Sequence, residues 1–234
     1  MPKETKVRTG DTWRLDNHVV ICGRCEDYLP ALKKAKADLL LTDPPYGISL
    51  IGSKNRKIGT RKTKGRLGKS KVFKSVEGDD RPFNPSHLFQ LATTQALFGA
   101  NYYCKDLPRP GQWIVWDKMH VPGLTFSDCE LMWTNREGVA IKKYSYHWDG
   151  NRKEDPREKK IHPTQKPLQL IADLIRDLSK PRSLIVDPYL GSGTTLLAAE
   201  QLGRRCIGIE VDPIYVDWTI QRWEAMTGKK AKKG

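Results

Sequence analysis

The stretch DLLLTDPPYGISL, Asp38–Leu50, joins a short apolar run to an abrupt turn. Its leucines predict a buried strand, which must end at Asp43 because Pro44 and Pro45 have no N–H to donate to a sheet ladder. A carboxylate, two stiff residues and the aromatic ring of Tyr46 therefore follow directly on the strand. A strand that ends in this way points to a chemical role for the turn.

Other short apolar runs alternate with helical patterns along the chain, which predicts a parallel α/β sheet. The predicted strands include HVVIC, QWIVWDK, SLIVD and CIGIEVD. Apolar residues recur at helical spacing from Leu168 to Leu178 and predict an amphipathic helix. We also expect a helix in PSHLFQLATTQAL, residues 85–97, and disorder in the tail KKAKKG, residues 229–234. A chain of 234 residues makes one large domain or at most two small ones.

The charge balance favours a polyanionic partner. The chain has 41 Lys and Arg against 27 Asp and Glu, a formal net charge of +14. This excess is typical of proteins that bind nucleic acid, although a soluble protein can be basic without doing so. No apolar run approaches the ~20 residues of a membrane helix, and the N-terminus has no apolar signal region. We therefore expect a cytoplasmic protein without membrane contact.

The five cysteines predict neither a disulfide framework nor a metal site. Their number is odd, and Cys22 and Cys25 form a C-x-x-C pair with no second pair at matching spacing. We expect buried or half-buried thiols and no bound metal.

One segment has an unusual composition. From Lys54 to Lys74 the chain contains ten Lys or Arg and no acidic residue. Such a run predicts a mobile loop in the free protein that closes on phosphates, or alternatively a solvated tether. The GKS at Gly68–Ser70 is not a phosphate loop, because position 63 is Thr and no apolar strand leads into it.

A glycine turn near the C-terminus predicts a nucleoside site. Gly191, Ser192 and Gly193 stand between a predicted strand and helix, and Glu210 ends the next strand. Glycines allow a ligand to approach the backbone, and an acid at that position can accept both hydroxyls of a ribose. The full dinucleotide pattern fails because position 196 is Leu. A nucleoside cofactor without pyrophosphate fits better, unless the glycines serve packing alone.

Four motifs in one order resemble the DNA amino-methyltransferases that use S-adenosylmethionine. The motifs are TDPPYG, HPTQKP, DPYLGSGTT and GIEVDPIYVD, which begin at Thr42, His162, Asp187 and Gly208. The catalytic motif precedes the cofactor motif, the circularly permuted order of the β class, and FGANYYCKDLP with WIVWDK resembles its phage-type adenine methylases. The resemblance implies a single domain, 1–234, with a seven-stranded, mostly parallel, Rossmann-like sheet and helices on both faces. It also implies a bacterial cell or phage-infected host, and a restriction-modification role.

The resemblance also answers what the turn after the strand does. Two acceptors, the Asp43 carboxylate and the Pro44 carbonyl held rigid by the prolines, would take the two N–H groups of a nucleobase amine. Tyr46 would stack on a base flipped out of double-stranded DNA. Adenine N6 is the expected target, since Asp rather than Ser stands at position 43. Cytosine N4, a protein glutamine, RNA, or a catalytically weakened DNA-binding homologue remain alternatives.

Further site residues are implied by the same motifs. Asp187, Gly191, Ser192 and Gly193 would shape the methionine side of the cofactor pocket, and Glu210 would hold the ribose. The methionine carboxylate would meet Thr164 and Lys166 near a helix N-terminus, with His162 as a further candidate. Arg24 departs from the family, which often has Asp there to accept the adenine amine. Because arginine has no acceptor, we expect Glu26 or a carbonyl to substitute, or a modest cofactor affinity.

Two segments are predicted to face DNA. The first is a basic target-recognition loop, about 51–80, with Lys54, Arg56, Lys57, Arg61, Lys62, Lys64, Arg66 and Lys69. The second is an insertion, about 142–160, where Tyr144 and Tyr146 alternate with basic residues, although aromatic rings also commonly pack in a core. The recognition sequence, a partner nuclease and the choice between monomer and homodimer cannot be read from the sequence.

Overall fold

The computed structural model describes residues 5–48, 77–108, 111–119, 127–138, 140–148, 161–162 and 164–234. The basic segment Lys54–Lys74 and most of the insertion after residue 148 lie outside these ranges.

In the described part of the chain, ten strands form one sheet in the order β10-β1-β2-β9-β8-β3-β4-β6-β5-β7. The strands are β1 Thr12–Leu15, β2 His18–Cys22, β3 Ala37–Thr42, β4 Ala92–Phe98, β5 Gln112–Asp117, β6 Cys129–Thr134, β7 Lys142–Ser145, β8 Leu184–Asp187, β9 Arg205–Glu210 and β10 Lys232–Lys233.

The middle of this sheet confirms the predicted fold class. From β2 to β5, seven adjacent strands run parallel except β6, which is antiparallel to both β4 and β5. The strand count differs from the prediction because short strands extend both edges: β1 and β10 beyond β2, and β7 beyond β5.

Helices cover both faces of the sheet. They are α1 Cys25–Ala35, α2 Leu168–Leu178, α3 Thr194–Gln201 and α4 Pro213–Thr227. The buried residues of α2, α3 and α4 share one apolar core, whereas Cys25 and Leu32 of α1 belong to a second core on the other side. Asp212 caps α4 by accepting the Ile214 N–H at 2.8 Å. The amphipathic pattern at Leu168–Leu178 is thus confirmed as α2.

Two local predictions are wrong. Residues 85–97 form a short 3₁₀ helix, Pro85–Leu88, capped by Asn84, and then β4 rather than one helix. The C-terminal tail is ordered, because Lys232 and Lys233 pair with β1. Pro30 lies inside α1, and the helix continues past it to Ala35.

The sheet order brings together parts that are distant in sequence. β3 lies beside β8, with Leu39 opposite Ile185, and β8 lies beside β9. Since the three strands are parallel, the turn after β3, the glycine turn after β8 and Glu210 of β9 meet at one edge of the sheet.

The thiols behave as predicted for the C-x-x-C pair. Cys22 and Cys25 are both buried, and burial raises their pKa to about 11 and about 12 respectively. No cluster of three or more possible metal ligands occurs within the residues that the structure describes.

Candidate active site

A cavity of about 850 Å³ opens at the edge of the sheet where β3, β8 and β9 end. Nearly all of the predicted catalytic and cofactor residues line it: Asp43, Pro44, Pro45, Tyr46, His162, Thr164, Lys166, Asp187, Gly191, Ser192 and Glu210. Gly193 does not line the cavity, and its role is structural at this point. It starts α3 at φ 81°, where a Cβ would come within 2.5 Å of Thr219.

Asp43 lies at the centre of a partly buried hydrogen-bond network. The Tyr46 hydroxyl donates to one of its carboxylate oxygens, and Lys166 Nζ donates to the other at 2.5 Å. Burial raises the pKa of Asp43, Glu130 adds to the rise, and the Lys166 charge opposes it. Each oxygen of the predicted amine acceptor therefore already accepts one hydrogen bond.

Lys166 also faces a carboxylate that the sequence did not single out. Its Nζ lies 3.0 Å from Glu130 Oε2 and 4.9 Å from the centre of the Phe98 ring. The other Glu130 oxygen pairs with Lys118 Nζ at 2.8 Å. Burial alone would raise the pKa of Glu130, but the two lysines lower it to about 2. Burial alone would lower the pKa of Lys166, and the two carboxylates reverse this and raise it.

The ring of Tyr46 is held by close packing. A Cβ at Gly99 would come within 2.0 Å of the Tyr46 ring, so the residue under the ring must be glycine. Tyr102, which is about half exposed, stacks on Tyr46 with ring centres 5.2 Å apart and planes at 19°. Tyr46, the predicted stacking residue, thus lines the cavity with its ring held against Tyr102.

The backbone after Tyr46 is fixed by Asp79. The Gly47 N–H donates to Asp79 Oδ1 at 2.9 Å, and the Ile48 N–H donates to the same oxygen at 3.2 Å. Gly47 has φ 75°, and a Cβ there would lie 2.3 Å from the Arg81 carbonyl. Both observations pin the turn that carries Asp43 against the segment 79–82.

The glycine turn and Glu210 contact each other directly. The Gly191 N–H donates to Glu210 Oε2 and the Asp212 N–H donates to Oε1, both at 2.8 Å. Burial raises the pKa of Glu210 to about 8, although these two donors oppose the shift. Each carboxylate oxygen keeps a further lone pair that could accept a hydroxyl from a ligand.

Asp187, at the end of β8, is hydrogen-bonded to the end of β3, the strand that leads to Asp43. The Thr42 hydroxyl, at the end of β3, donates to Asp187 Oδ1 at 2.7 Å. Burial raises the pKa of Asp187 to about 6. This bond holds the ends of β3 and β8 at a fixed separation.

His162 and Thr164 form a local unit at the cavity wall. The Thr164 hydroxyl and N–H lie 3.1 and 3.3 Å from His162 Nδ1. The imidazole packs edge to face against Tyr215, with ring centres 4.3 Å apart. These contacts join Thr164 to His162 within the turn, and both side chains line the cavity.

Several cavity residues were missed by sequence reasoning. Phe83 packs edge to face on Tyr189, and His87 Nε2 lies 3.0 Å from the Tyr189 hydroxyl. Arg24, which the sequence did single out, lines the cavity, and its guanidinium donates to Glu77, a missed residue, at 2.7 Å. Tyr189 stands inside a quoted motif and could have been identified, whereas Phe83 and Glu77 carry no local signal.

The structure does not bring the predicted DNA-facing tyrosines to this cavity. The hydroxyls of Tyr144 and Tyr146 donate to Asp177 and Asp173 of α2, and both rings pack against the core. The basic residues 54–69 lie outside the described ranges.

The chain belongs to a family of DNA methylases. The sequence profile of the family described as DNA methylase matches residues 101–222. The Type II methyltransferase M.HinfI of Haemophilus influenzae is 46% identical over 257 aligned positions, which cover 88% of this chain and 68% of M.HinfI. The Type II methyltransferase M2.MboI of Moraxella bovis is 23% identical, with 90% and 89% covered. The protein is accordingly a DNA methyltransferase, an enzyme that acts on DNA.

Solved structures show the same fold. The complex of M1.HpyAVI with S-adenosylmethionine superposes with a TM-score of 0.52, at 21% identity, over 87% of this chain and 98% of that one. TTHA0409, a DNA modification methylase of Thermus thermophilus in complex with the same ligand, gives 0.55 at 19% identity, over 92% and 98%. PvuII DNA methyltransferase, which is cytosine-N4-specific, gives 0.56 at 17% identity, over 86% and 84%.

None of the described helices is both long and apolar enough to cross a membrane.

Proposed function

We propose that the enzyme transfers a methyl group from S-adenosylmethionine to the exocyclic N6 of adenine in double-stranded DNA. The observation that carries this proposal is the shared cavity: Asp43 and Tyr46 line it together with Gly191 and Glu210. An amine acceptor and a nucleoside pocket thus face the same space, as methyl transfer from a nucleoside cofactor to a base requires.

The residues at the cavity fit this cofactor. Its volume falls within the range of ~300–1,000 Å³ that is usual for ligand sites. Gly191 has no Cβ to keep a ligand away from its backbone, and Glu210 has free lone pairs for a ribose. Lys166 supplies a positive charge beside the Asp43 carboxylate. When bound, the cofactor supplies a methyl carbon on a positively charged sulfur, whose C–S bond breaks as the N–C bond forms and whose electron pair stays on sulfur.

Asp43 and Pro44 act on the target amine. The amine lone pair is delocalised into the ring, and acceptors on both N–H groups draw the nitrogen toward a tetrahedral geometry in which that pair is available. Asp43 offers its carboxylate and Pro44 its carbonyl, which the proline ring restrains. After transfer the nitrogen is cationic and gives a proton to solvent, so Asp43 need not act as a strong base.

Tyr46 holds the flipped base. Stacking on an aromatic ring is worth ~1–3 kcal/mol per base, which offsets much of the few kcal/mol that flipping costs. Gly99 and Tyr102 fix the ring of Tyr46 before DNA arrives.

The alternative target is cytosine N4, because the same two acceptors suit that amine. The likeness to the cytosine-N4-specific PvuII enzyme is one of fold. Asp at position 43 favours adenine on the resemblance described above, in which Ser more often accompanies cytosine.

The wider setting belongs to the same proposal. We infer one methyltransferase domain over 1–234, a DNA-facing loop at about 51–80, an insertion at about 142–160, a monomer or homodimer, and a cytoplasmic location. A restriction-modification role is supported by the likeness to two Type II methyltransferases. The similarity to phage-type enzymes stays a prediction.

The test is to identify the methylated nucleoside. Duplex DNA methylated by the purified enzyme is digested, and its nucleosides are separated by mass spectrometry. We expect N6-methyladenine, and N4-methylcytosine would contradict the proposal. Asp43→Ala should lower the rate at least about 100-fold, as loss of a preorganised polar group does. It should change the S-adenosylmethionine Kd by no more than about tenfold, since Lys166 keeps Glu130 as a partner.

A matched control separates chemistry from folding. Asp38→Ala removes a carboxylate from the opposite end of β3, where it accepts the Leu184 N–H at 2.7 Å. This variant should methylate at the wild-type rate. Wild-type turnover in Asp43→Ala would end the mechanism.

A further inference from the structure

Four charged side chains form a continuous, largely buried row beside the cavity, with 7–22% of each side chain exposed. In order they are Asp43, Lys166, Glu130 and Lys118, with successive N–O separations of 2.5, 3.0 and 2.8 Å. They come from four places: the end of β3, the turn before α2, β6 and the end of β5. The Lys166 side chain is 7% exposed and the Lys118 side chain 15% exposed, so water screens the row weakly.

We propose that Glu130 is a positioning residue that shares the Lys166 ammonium with Asp43 and so lets Asp43 exchange that ammonium for the amine of the target base. The inference rests on the proposed function, in which Asp43 is the amine acceptor.

The contacts at Asp43 favour such an exchange. Its two oxygens already accept from Tyr46 and from Lys166 at 2.5 Å, so a target amine competes with these donors. A neutral amine is a weaker donor than an ammonium and displaces it only if the ammonium has somewhere to go. A charge shielded from water that loses its partner carries a large desolvation cost. Glu130 removes this cost, because Lys166 remains paired when it leaves Asp43.

Lys118 sets how strongly Glu130 attracts Lys166. It neutralises the far oxygen of Glu130 and therefore weakens the pull of that carboxylate on Lys166. Replacing Glu130 and replacing Lys118 should consequently act on Asp43 in opposite senses.

The direction in which each substitution shifts the ionisation of Asp43 follows from the groups that face this carboxylate. They are Lys166, Glu130, Tyr46, Tyr103 and Asp187. Glu130→Gln removes a negative charge, so Asp43 ionises at lower pH and Lys166 is left with Asp43 as its remaining carboxylate in the row. Lys118→Gln removes a positive charge, so Asp43 ionises at higher pH while Glu130 draws Lys166 more strongly.

The experiment measures single-turnover methyl transfer against pH, with labelled S-adenosylmethionine and DNA that the wild-type enzyme methylates. For Glu130→Gln we expect the acid limb of the pH–rate profile, where the rate falls, to lie at lower pH. We also expect the plateau rate of that profile to be lower by about tenfold, since the amine must now displace a charge-assisted hydrogen bond. For Lys118→Gln we expect the acid limb at higher pH with the plateau retained. The Kd for S-adenosylmethionine should not change in either.

Controls make each outcome decisive. Asp16→Asn removes a carboxylate that pairs with Lys229 outside the row, and it should leave the profile unchanged. Acid limbs that move in the same direction, or not at all, would overturn the inference and leave the proposed function standing. A wild-type enzyme that transfers no methyl group would overturn both. Should Glu130→Gln not fold, Glu130→Asp replaces it, with a smaller shift of the same sign expected from a retracted carboxylate.

Discussion

We expect Glu210 to couple cofactor binding to proton release. Burial raises its pKa to about 8 in the free protein, although the Gly191 and Asp212 N–H groups favour the ionised form. Ribose hydroxyls that donate to this carboxylate would favour ionisation further and lower the pKa in the complex. Binding then requires the ionised form, and below about pH 8 a proton must leave.

The sign of the pH effect is therefore fixed. The affinity for S-adenosylmethionine should weaken as the pH falls below about 8, by up to tenfold per pH unit until the pKa of the complex is reached. Calorimetry from about pH 6 to 9, in buffers of different ionisation enthalpy, measures both the Kd and the protons released.

Variants distinguish Glu210 from other acids. Glu210→Gln should weaken binding at high pH and abolish most of the pH dependence. Glu224→Gln, a substitution on α4 next to Lys230, should behave as wild type. A Kd for the wild-type enzyme that stays constant from about pH 6 to 9 would show that Glu210 does not hold the ribose.

At the residue scale, the sequence identified the site residues that stand in contiguous motifs and missed those that the strand order brings together. Asp43, Tyr46 and Glu210 stand in motifs next to strand ends, where a carboxylate or ring has a readable position. Glu130 stands in no motif, and Lys118 ends the quoted WIVWDK, where nothing local predicts its partner. Glu130 meets Lys166 and Lys118 because β6 lies between β4 and β5. Such a contact requires the strand order, which no local pattern contains.

At the scale of elements, the turn from β4 into the following 3₁₀ helix packs against Tyr46, the residue proposed to stack on the target base. Gly99 stands at this turn with φ 66°, and a Cβ there would lie 2.0 Å from the Tyr46 ring. Gly99→Ala should therefore displace Tyr46 and lower the single-turnover rate, while most of the fold persists. The rate and the urea unfolding midpoint together measure the two effects.

Gly203 provides a matched control for this prediction. It has φ 65°, and a Cβ there would meet nothing within 4 Å. Gly203→Ala thus imposes the same backbone cost, about 1 kcal/mol, without touching a catalytic ring. Equal rates for the two variants would show that the Gly99 contact has no catalytic consequence.

The β4 region also shows why the sequence misled us about one element. Its apolar residues suited a helical period, but Ala92–Phe98 pairs with β3 on one side and β6 on the other. Partners on both sides satisfy the backbone of a strand irrespective of local propensity. The tail was misjudged for the same reason, since its lysines gain order by pairing with β1.

At the scale of the whole molecule, the permuted motif order leaves the site unchanged. β3 precedes β8 by more than a hundred residues, yet the two strands are neighbours and Thr42 bonds to Asp187. What a methyltransferase requires is the adjacency of these strand ends, and either chain order can provide it. The four motifs could therefore predict the arrangement of the site in spite of the order in which they occur.

The net charge of +14 leads to a prediction about DNA binding. Each phosphate that a lysine or arginine neutralises releases counterions, which makes affinity fall with salt. If about five of the ten charges in Lys54–Lys74 meet phosphates, they contribute about −4 to −5 to the slope of log K against log salt. Fluorescence anisotropy with a labelled duplex measures that slope.

Two variants of equal charge test whether the position of the lysines matters. Replacing Arg61, Lys62, Lys64 and Arg66 by Gln lowers the net charge from +14 to +10, and so does replacing Lys229, Lys230, Lys232 and Lys233. The first variant should make the slope shallower by up to about 3 to 4, the value reached if all four charges meet phosphates. The second should keep the slope, since those lysines lie at the β10 edge and pair with acids such as Asp16 and Asp11. Equal slopes in both variants would mean that the salt dependence of DNA binding reflects total charge alone. A wild-type slope of about −1 would mean that the basic segment does not engage phosphates.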